Sequence, residues 1–194
     1  MLKKIITLLG IVLFISCQTR KPELLPPSGP YFQSLSIKFN LHDGESKQNG
    51  RIHWRFDERY AKFLFFTPLN QVGLELNAAG EETVLLNFAK KIFWKGEFVS
   101  LLHQLWGIEL TLDDLKQILV KGLVPQTKLA GKGISVFLKK DNRTGAPERA
   151  RFRLGSTDLT LRISRREFRP GQIILIDYSG RYQAADLESV LDDD

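Results

Sequence analysis

From Leu35 onward apolar and polar residues alternate: Leu35, Ile37, Phe39 and Leu41 against Ser36, Lys38 and Asn40. A period of two marks a half-buried strand, one face on a core and the other in water. The alternation returns in Ile52, Trp54 and Phe56 against Arg51, His53 and Arg55, and again in Val72, Leu74 and Leu76 against Gly73, Glu75 and Asn77. Between them, Tyr60–Thr67 is apolar on both faces apart from Lys62. His42–Gly50, Asp57–Arg59, Thr67–Asn70 and Ala78–Glu81 carry turn residues. Thr83–Phe88 and Ile92–Lys95 complete a predicted meander of about six antiparallel strands.

The period then changes. From Glu97 on, Phe98, Leu101, Leu102, Leu105 and Trp106 recur at helical spacing, and Gly107 closes the helix. Thr111-Leu112-Asp113-Asp114 has the form of a capping box with Asp in the acidic position. Leu112, Leu115, Ile118 and Leu119 make a second helical stripe that ends at Gly122. After Pro125 strands return over Ile134–Lys139, Arg149–Leu154, Thr157–Ser164 and Gln172–Tyr178, and Ala184–Leu191 is expected to form a short helix. Strands, two helices and more strands predict a mainly β protein with an α insertion. The expected form is an unclosed antiparallel β-barrel, a curved sheet whose apolar concave face lies under a helical lid at about residues 97–121.

The N-terminus is an address. Lys3 and Lys4 precede Ile5–Ile15, an uncharged run too short to span a bilayer, and Ser16-Cys17 follows. Phe14-Ile15-Ser16-Cys17 resembles the lipobox of bacterial lipoproteins, with Phe14 where that pattern prefers Leu. The resemblance implies a signal peptide over residues 1–16 and a diacylglycerylated Cys17 as the first mature residue. An ordinary signal peptide or a single anchor helix, with an incidental cysteine, is the alternative. Residues 17–33 are then a lipidated tether rich in proline (Pro22, Pro26, Pro27, Pro30). The folded domain is expected over 34–178, with 179–194 as a C-terminal extension. Gln18, rather than Asp, favours the outer membrane under the Gram-negative sorting rule.

Composition sharpens this picture. The 194 residues carry a single Cys, which excludes internal disulfides and multi-thiolate metal sites. The formal charge is +6, and cleavage takes two of the 28 basic residues and none of the 22 acidic ones, leaving +4. An exported, tethered protein is not expected to meet nucleic acid, so that explanation of the charge recedes. No Gly-x-Ser-x-Gly elbow, His-Glu-x-x-His pair or phosphate loop occurs, and His42, His53 and His103 are scattered. No enzyme activity, metal or cofactor is therefore expected.

Thr67-Pro68-Leu69-Asn70 puts a leucine in a loop between two strands, where it either folds back on the core or probes something apolar outside. Trp54, Tyr60, this Thr-Pro-Leu loop and the strand Leu74-Glu75-Leu76-Asn77 resemble LolB, the outer-membrane lipoprotein receptor family. The resemblance continues in Leu105-Trp106-Gly107-Ile108, in Leu112 and Leu115-Lys116-Gln117, in Gly122-Leu123-Val124-Pro125 and in Pro147-Glu148, covering roughly residues 34–168. It departs at Asn70, where the family has glycine, at Ile118, near the family's helix Trp, and in residues 170–194, beyond the family's end.

The resemblance implies a receptor that takes acylated lipoproteins from a periplasmic LolA-like carrier, holds their acyl chains and releases them into the outer membrane. Pro68 and Leu69 match the loop that enters the membrane. Trp54, Phe56, Phe63, Phe65, Leu74, Leu76 and Phe93 on the sheet are cavity candidates, with Leu101, Leu105 and Leu115 on the lid. The same residues also suit a filled core, and then the rival function is an envelope-assembly lipoprotein that serves as an interaction platform. Arg149, Arg151 and Arg153 alternate along one strand, and Arg162, Arg165, Arg166 and Arg169 follow, either as a solvated outer face or as a rim that docks an acidic carrier or anionic headgroups. A monomer is expected.

Overall fold

A computed structural model describes residues 29–191. Cys17, the signal segment and the tether up to residue 28, with the acidic end 192–194, lie outside the described residues. The strands are β1 (Tyr31–His42), β2 (Lys47–Phe56), β3 (Tyr60–Phe66), β4 (Val72–Ala79), β5 (Glu82–Asn87) and β6 (Ile92–Gly96), then β7 (Ser135–Lys140), β8 (Pro147–Leu154), β9 (Thr157–Pro170) and β10 (Gln183–Ala184). The helices are α1 (Phe98–Trp106), α2 (Leu112–Lys116), continued by one π turn over Gln117–Lys121, α3 (Gln126–Ala130) and α4 (Leu187–Leu191).

All ten strands form one sheet in the order β10-β6-β5-β4-β3-β2-β1-β9-β8-β7. The order is linear, so the barrel stays unclosed. Every pairing is antiparallel except the short β10–β6 pair. The centre is β1, paired with β2 on one side and the long β9 on the other. A bulge at Ser36/Ile37 interrupts the β1–β9 ladder. There Ser164 has no Cα partner, and its hydroxyl donates to the Ser36 carbonyl at 3.0 Å.

The period-two residues face inward as expected. Leu35, Ile37, Leu41, Ile52, Trp54, Phe56, Phe63, Leu76 and Leu85 are all at most 5 % exposed and join the lid in one apolar cluster. Each Leu or Phe side chain fully removed from water contributes about 1.5–3 kcal/mol. α1 ends at Gly107, whose N–H donates to the His103 carbonyl at 2.7 Å and whose φ of +65° turns the chain out of the helix. α2 starts on the expected capping box: Thr111 accepts from the Asp114 N–H at 3.1 Å, and the Asp114 carboxylate accepts from the Thr111 N–H at 2.9 Å. The π turn brings the adjacent Ile118 and Leu119 both into the core, at 0 % and 1 % exposure.

Several boundaries differ from expectation. β1 begins at Tyr31, inside the stretch assigned to the tether, and β9 runs on to Pro170. The turn after β1 shrinks to the four residues Asp43–Ser46, where the Asp43 carboxylate accepts from the amides of Glu45 and Ser46. α3 is additional. Gln172–Tyr178 is not a strand. It leaves the end of β9 at Gly171, whose N–H donates to the Pro30 carbonyl, and reaches β6 where Tyr178 packs on Phe93 at 4.7 Å. The segment therefore straps across the convex face instead of running along an edge. Val84, Leu86 and Ile173 are buried there, outside the central cluster. β10 then turns round the β6 edge, and α4 delivers Leu187 and Val190 back into the core. Residues 179–191 are thus part of the domain rather than an appendage.

Candidate functional site

Apolar side chains from both sides line the space between sheet and lid. Trp54 stacks on Phe63 at 5.0 Å, lies 4.4 Å from Phe56, and Phe63 in turn meets Phe98 of the lid at 5.8 Å. Leu101 and Leu115 reach the same cluster from the lid at 0 % and 2 % exposure, and Leu76 from the sheet at 2 %. Phe65, Leu74 and Leu105 pack against it, partly buried. Phe93 does not: it pairs with Leu86 on the convex side, and its neighbours Ile92 and Trp94 are the β6 side chains that face inward. All three β6 residues are apolar, so alternation gave no sign of the correct face. One polar atom stands unpartnered in this interior. The indole Nε1 of Trp54 is buried without a hydrogen-bond acceptor among the described residues.

Polar ties hold the lid down. The Arg166 guanidinium donates to the carbonyls of Leu119 at 2.8 Å and Pro147 at 3.3 Å, joining β9, the π turn and the start of β8. Burial pulls its pKa below the ordinary arginine value, although the group stays charged. Arg166 was expected on the outer basic face, and the structure turns it inward. Leu159, Leu161 and Ile163 put the odd positions of β9 inward, and the extra residue Ser164 switches the inward set to even positions, so Arg166 faces the lid opposite Leu35. Lys116 Nζ donates to the Asp57 carbonyl at 3.3 Å and lies 6.0 Å from the Phe56 ring. Within the lid, Lys128 Nζ meets the buried Asp114 carboxylate at 2.8 Å. Burial alone would raise the Asp114 pKa, but the hydrogen bonds from Lys128 and Thr111 hold it below the usual carboxylate value.

The loop from β3 to β4 is built to present one side chain. The Thr67 N–H donates to the Gln71 carbonyl and the Asn70 N–H to the Thr67 carbonyl, each at 2.9 Å. Asn70 has φ +65°, the left-handed region where glycine would be at ease and Asn is tolerated. Its Oδ1 accepts from Arg51 Nη2, which ties the turn to β2. Leu69, held at the tip after Pro68, is 82 % exposed.

On the convex face, Arg149, Arg151 and Arg153 do not act as one group. Arg151 and Arg153 both bind Asp158, whose pKa the Arg151 and Arg153 contacts lower, whereas Arg149 has no carboxylate partner among the described residues. The Arg153 guanidinium also lies 5.6 Å from the exposed Phe137 ring. His53 is half-buried and pairs with Ser34 Oγ at 2.5 Å, and burial, then the charges of Arg55 and Arg169, lower its pKa.

Residues 33–148, more than half of the chain, match the family described as outer membrane lipoprotein LolB. Comparison with curated proteins gives no match. Among solved structures, the chain is similar to a LolA superfamily protein from Nitrosomonas europaea. The two are 9 % identical over 76 % of this chain and 90 % of that one, with a TM-score of 0.36. Among the described residues no helix is long and apolar enough to cross a membrane. An open sheet under a helical lid, with a leucine held out on the β3–β4 turn, is the setting in which the family match falls, and the chain belongs to the LolB family.

Proposed function

We propose that this protein is an envelope lipoprotein, anchored through acylated Cys17, that accepts the acyl chains of other lipoproteins from a LolA-like carrier and passes them into the outer membrane. The observation that carries the reading is Leu69, 82 % exposed on a turn whose hydrogen bonds fix it outward. A leucine so placed adds nothing to folding but gains on meeting an apolar phase. Acyl chains would lodge among Trp54, Phe56, Phe63, Phe65, Leu74, Leu76, Leu101, Leu105 and Leu115. The unpartnered Trp54 N–H supports this, as a buried donor in the apolar cluster that an oxygen of a bound ligand could satisfy.

In the described conformation those side chains belong to or pack against one apolar cluster shared by sheet and lid, and loading would proceed by lifting the lid. Burial of acyl chain contributes about 0.8 kcal/mol per CH₂, and a few polar ties to Arg166 and Lys116 are within reach of that driving force. Transfer onward needs only that the bilayer bind the chains better than the groove does. No covalent step is involved.

The extensive apolar packing between sheet and lid favours a second reading, an envelope-assembly lipoprotein that uses the half-barrel as an interaction platform. Native mass spectrometry of the mature chain with Cys17→Ser, produced in an envelope-containing host, separates the two. Co-purified diacyl or lipopeptide mass that disappears in the Trp54→Asp variant supports the receptor. A ligand-free protein that also takes up no acylated peptide from a carrier supports the platform.

A further inference from the structure

The outward face carries a pattern that emerges only from strand register. Lys139 stands opposite Arg149, Arg149 opposite Arg162, Arg162 opposite Lys38, and Lys38 opposite Arg51. Five neighbouring strands each contribute one cation to a single row, and all five side chains are exposed. At ~4.8 Å per strand the row is about 19 Å long. Like charges directly opposite one another weaken a sheet, so folding gives no reason for it.

Nearby positive charge on the same face is locally balanced, Arg151 and Arg153 by Asp158, and Arg165 and Arg169 by Glu167. In the row, Lys139 has Glu148 at 3.2 Å, an exposed pair that neutralises little. Arg149, Arg162, Lys38 and Arg51 have no carboxylate partner among the described residues. The row is also continuous with the apolar tip. Beyond Arg51 the next position is Phe66, 5.9 Å from the Arg51 guanidinium, and Arg51 itself bonds Asn70 beside Leu69.

We propose that this row docks on the anionic phosphate headgroups of a lipid surface, laying the convex face against the membrane beside the Leu69 turn. A run of uncompensated cations on a convex surface lacks the pocketed anchor on which protein interfaces depend. A headgroup layer instead offers each cation its own mobile phosphate. Exposed Phe137, two residues along β7 from Lys139 and on the same face, suits the same interface. The proposal requires no acyl cargo and stands apart from the receptor reading.

The test is lysine footprinting of the full chain reconstituted in vesicles of phosphatidylcholine, alone or mixed with phosphatidylglycerol. After limited acetylation, peptide mass spectrometry reads each lysine. Each docked cation is worth roughly a fivefold shift. Acetylation of Lys38 should therefore fall at least about fivefold on the anionic vesicles at low salt and recover at high salt. Lys121 and Lys132, exposed on the lid side, should not change between the two vesicle types. In the Arg149→Glu/Arg162→Glu variant the Lys38 protection should disappear. Should that variant fold poorly, the salt and lipid dependence of the unaltered chain still decides. Equal Lys38 reactivity on both vesicles, equal protection of Lys121, or protection that needs an added acidic carrier protein overturns the proposal.

Discussion

Replacing Arg166 by Met should loosen the lid without harming the sheet. The substitution keeps an unbranched apolar stem and removes the guanidinium that bonds Leu119 at 2.8 Å and Pro147 at 3.3 Å. A hydrogen bond from a charged donor is worth about 1.5–3 kcal/mol. The longer bond is near the limit of useful geometry, and rehydration of the freed carbonyls offsets part of the loss. A net cost of about 1–2 kcal/mol remains, which is a 5–30-fold rise in the open population. Amide hydrogen exchange reads it directly. Exchange at Leu115, Gly122 and Leu123, whose N–H groups bond Thr111 and Gln117 within the lid, should accelerate by that factor. Amides of the β1–β2 ladder should exchange at unchanged rates. Uniform acceleration of both sets would mean a global loss of stability, and no acceleration would mean that packing alone holds the lid; either result refutes the reasoning.

Leu69→Glu should leave the melting temperature nearly unchanged, because the side chain is 82 % exposed, and should slow lipoprotein release into vesicles at least about tenfold, since a charge at the tip resists the apolar phase. Normal release would remove the loop from the mechanism. At the neighbouring position, where φ is +65°, Asn70→Gly should be neutral or slightly stabilising, whereas Asn70→Val should cost about 1–2 kcal/mol in chemical denaturation. The Asp114 pKa lies below its unfolded value of 3.8. Its stabilisation is therefore complete above about pH 4 and fades as the pH drops through the lowered folded value. Acid unfolding followed by circular dichroism should show a shallower loss between pH 4 and pH 2 in Asp114→Asn than in the unaltered chain.

How far the sequence could be read depended on which signal each residue carried. β1, β2, β4 and α1 rest on strict periodicity, β3, β5 and β6 on short apolar runs between turns, and the structure places them all within a few residues. The α2 cap was legible because Thr111 and Asp114 stand at the spacing that reciprocal bonding requires. α3 was not legible: it buries only Leu129 and has no stripe to announce it. Ile173–Ile176 has the composition of a strand, yet it gains burial by lying across strands, a choice that depends on the apolar outer faces of β5 and β6. Phe93 was assigned to the wrong side because three successive apolar residues carry no parity. The inward turn of Arg166 and the cation row were out of reach for a related reason. A one-residue bulge reverses parity, and register across strands is set by pairings 116 to 139 residues apart in the chain, such as His42 with Asp158 and Tyr31 with Pro170.

That central pairing also sets the order in which the molecule can be assembled. β1 lies in the middle of the sheet, but one of its two neighbours is β9, synthesised long after it. The meander β1–β6 can pair as it emerges, while the far side of β1 remains an open, hydrogen-bonding edge until residues 157–170 arrive. The β6 edge likewise waits for Gln183 and Ala184. Non-local closure of this kind is slow and leaves adhesive edges on display. A chain interrupted after residue 148, where the family match ends, would hold most of the family's recognisable sequence yet keep both seams unsealed. For this protein the tail end of synthesis is the vulnerable interval, and shielding by other factors during export would matter most then.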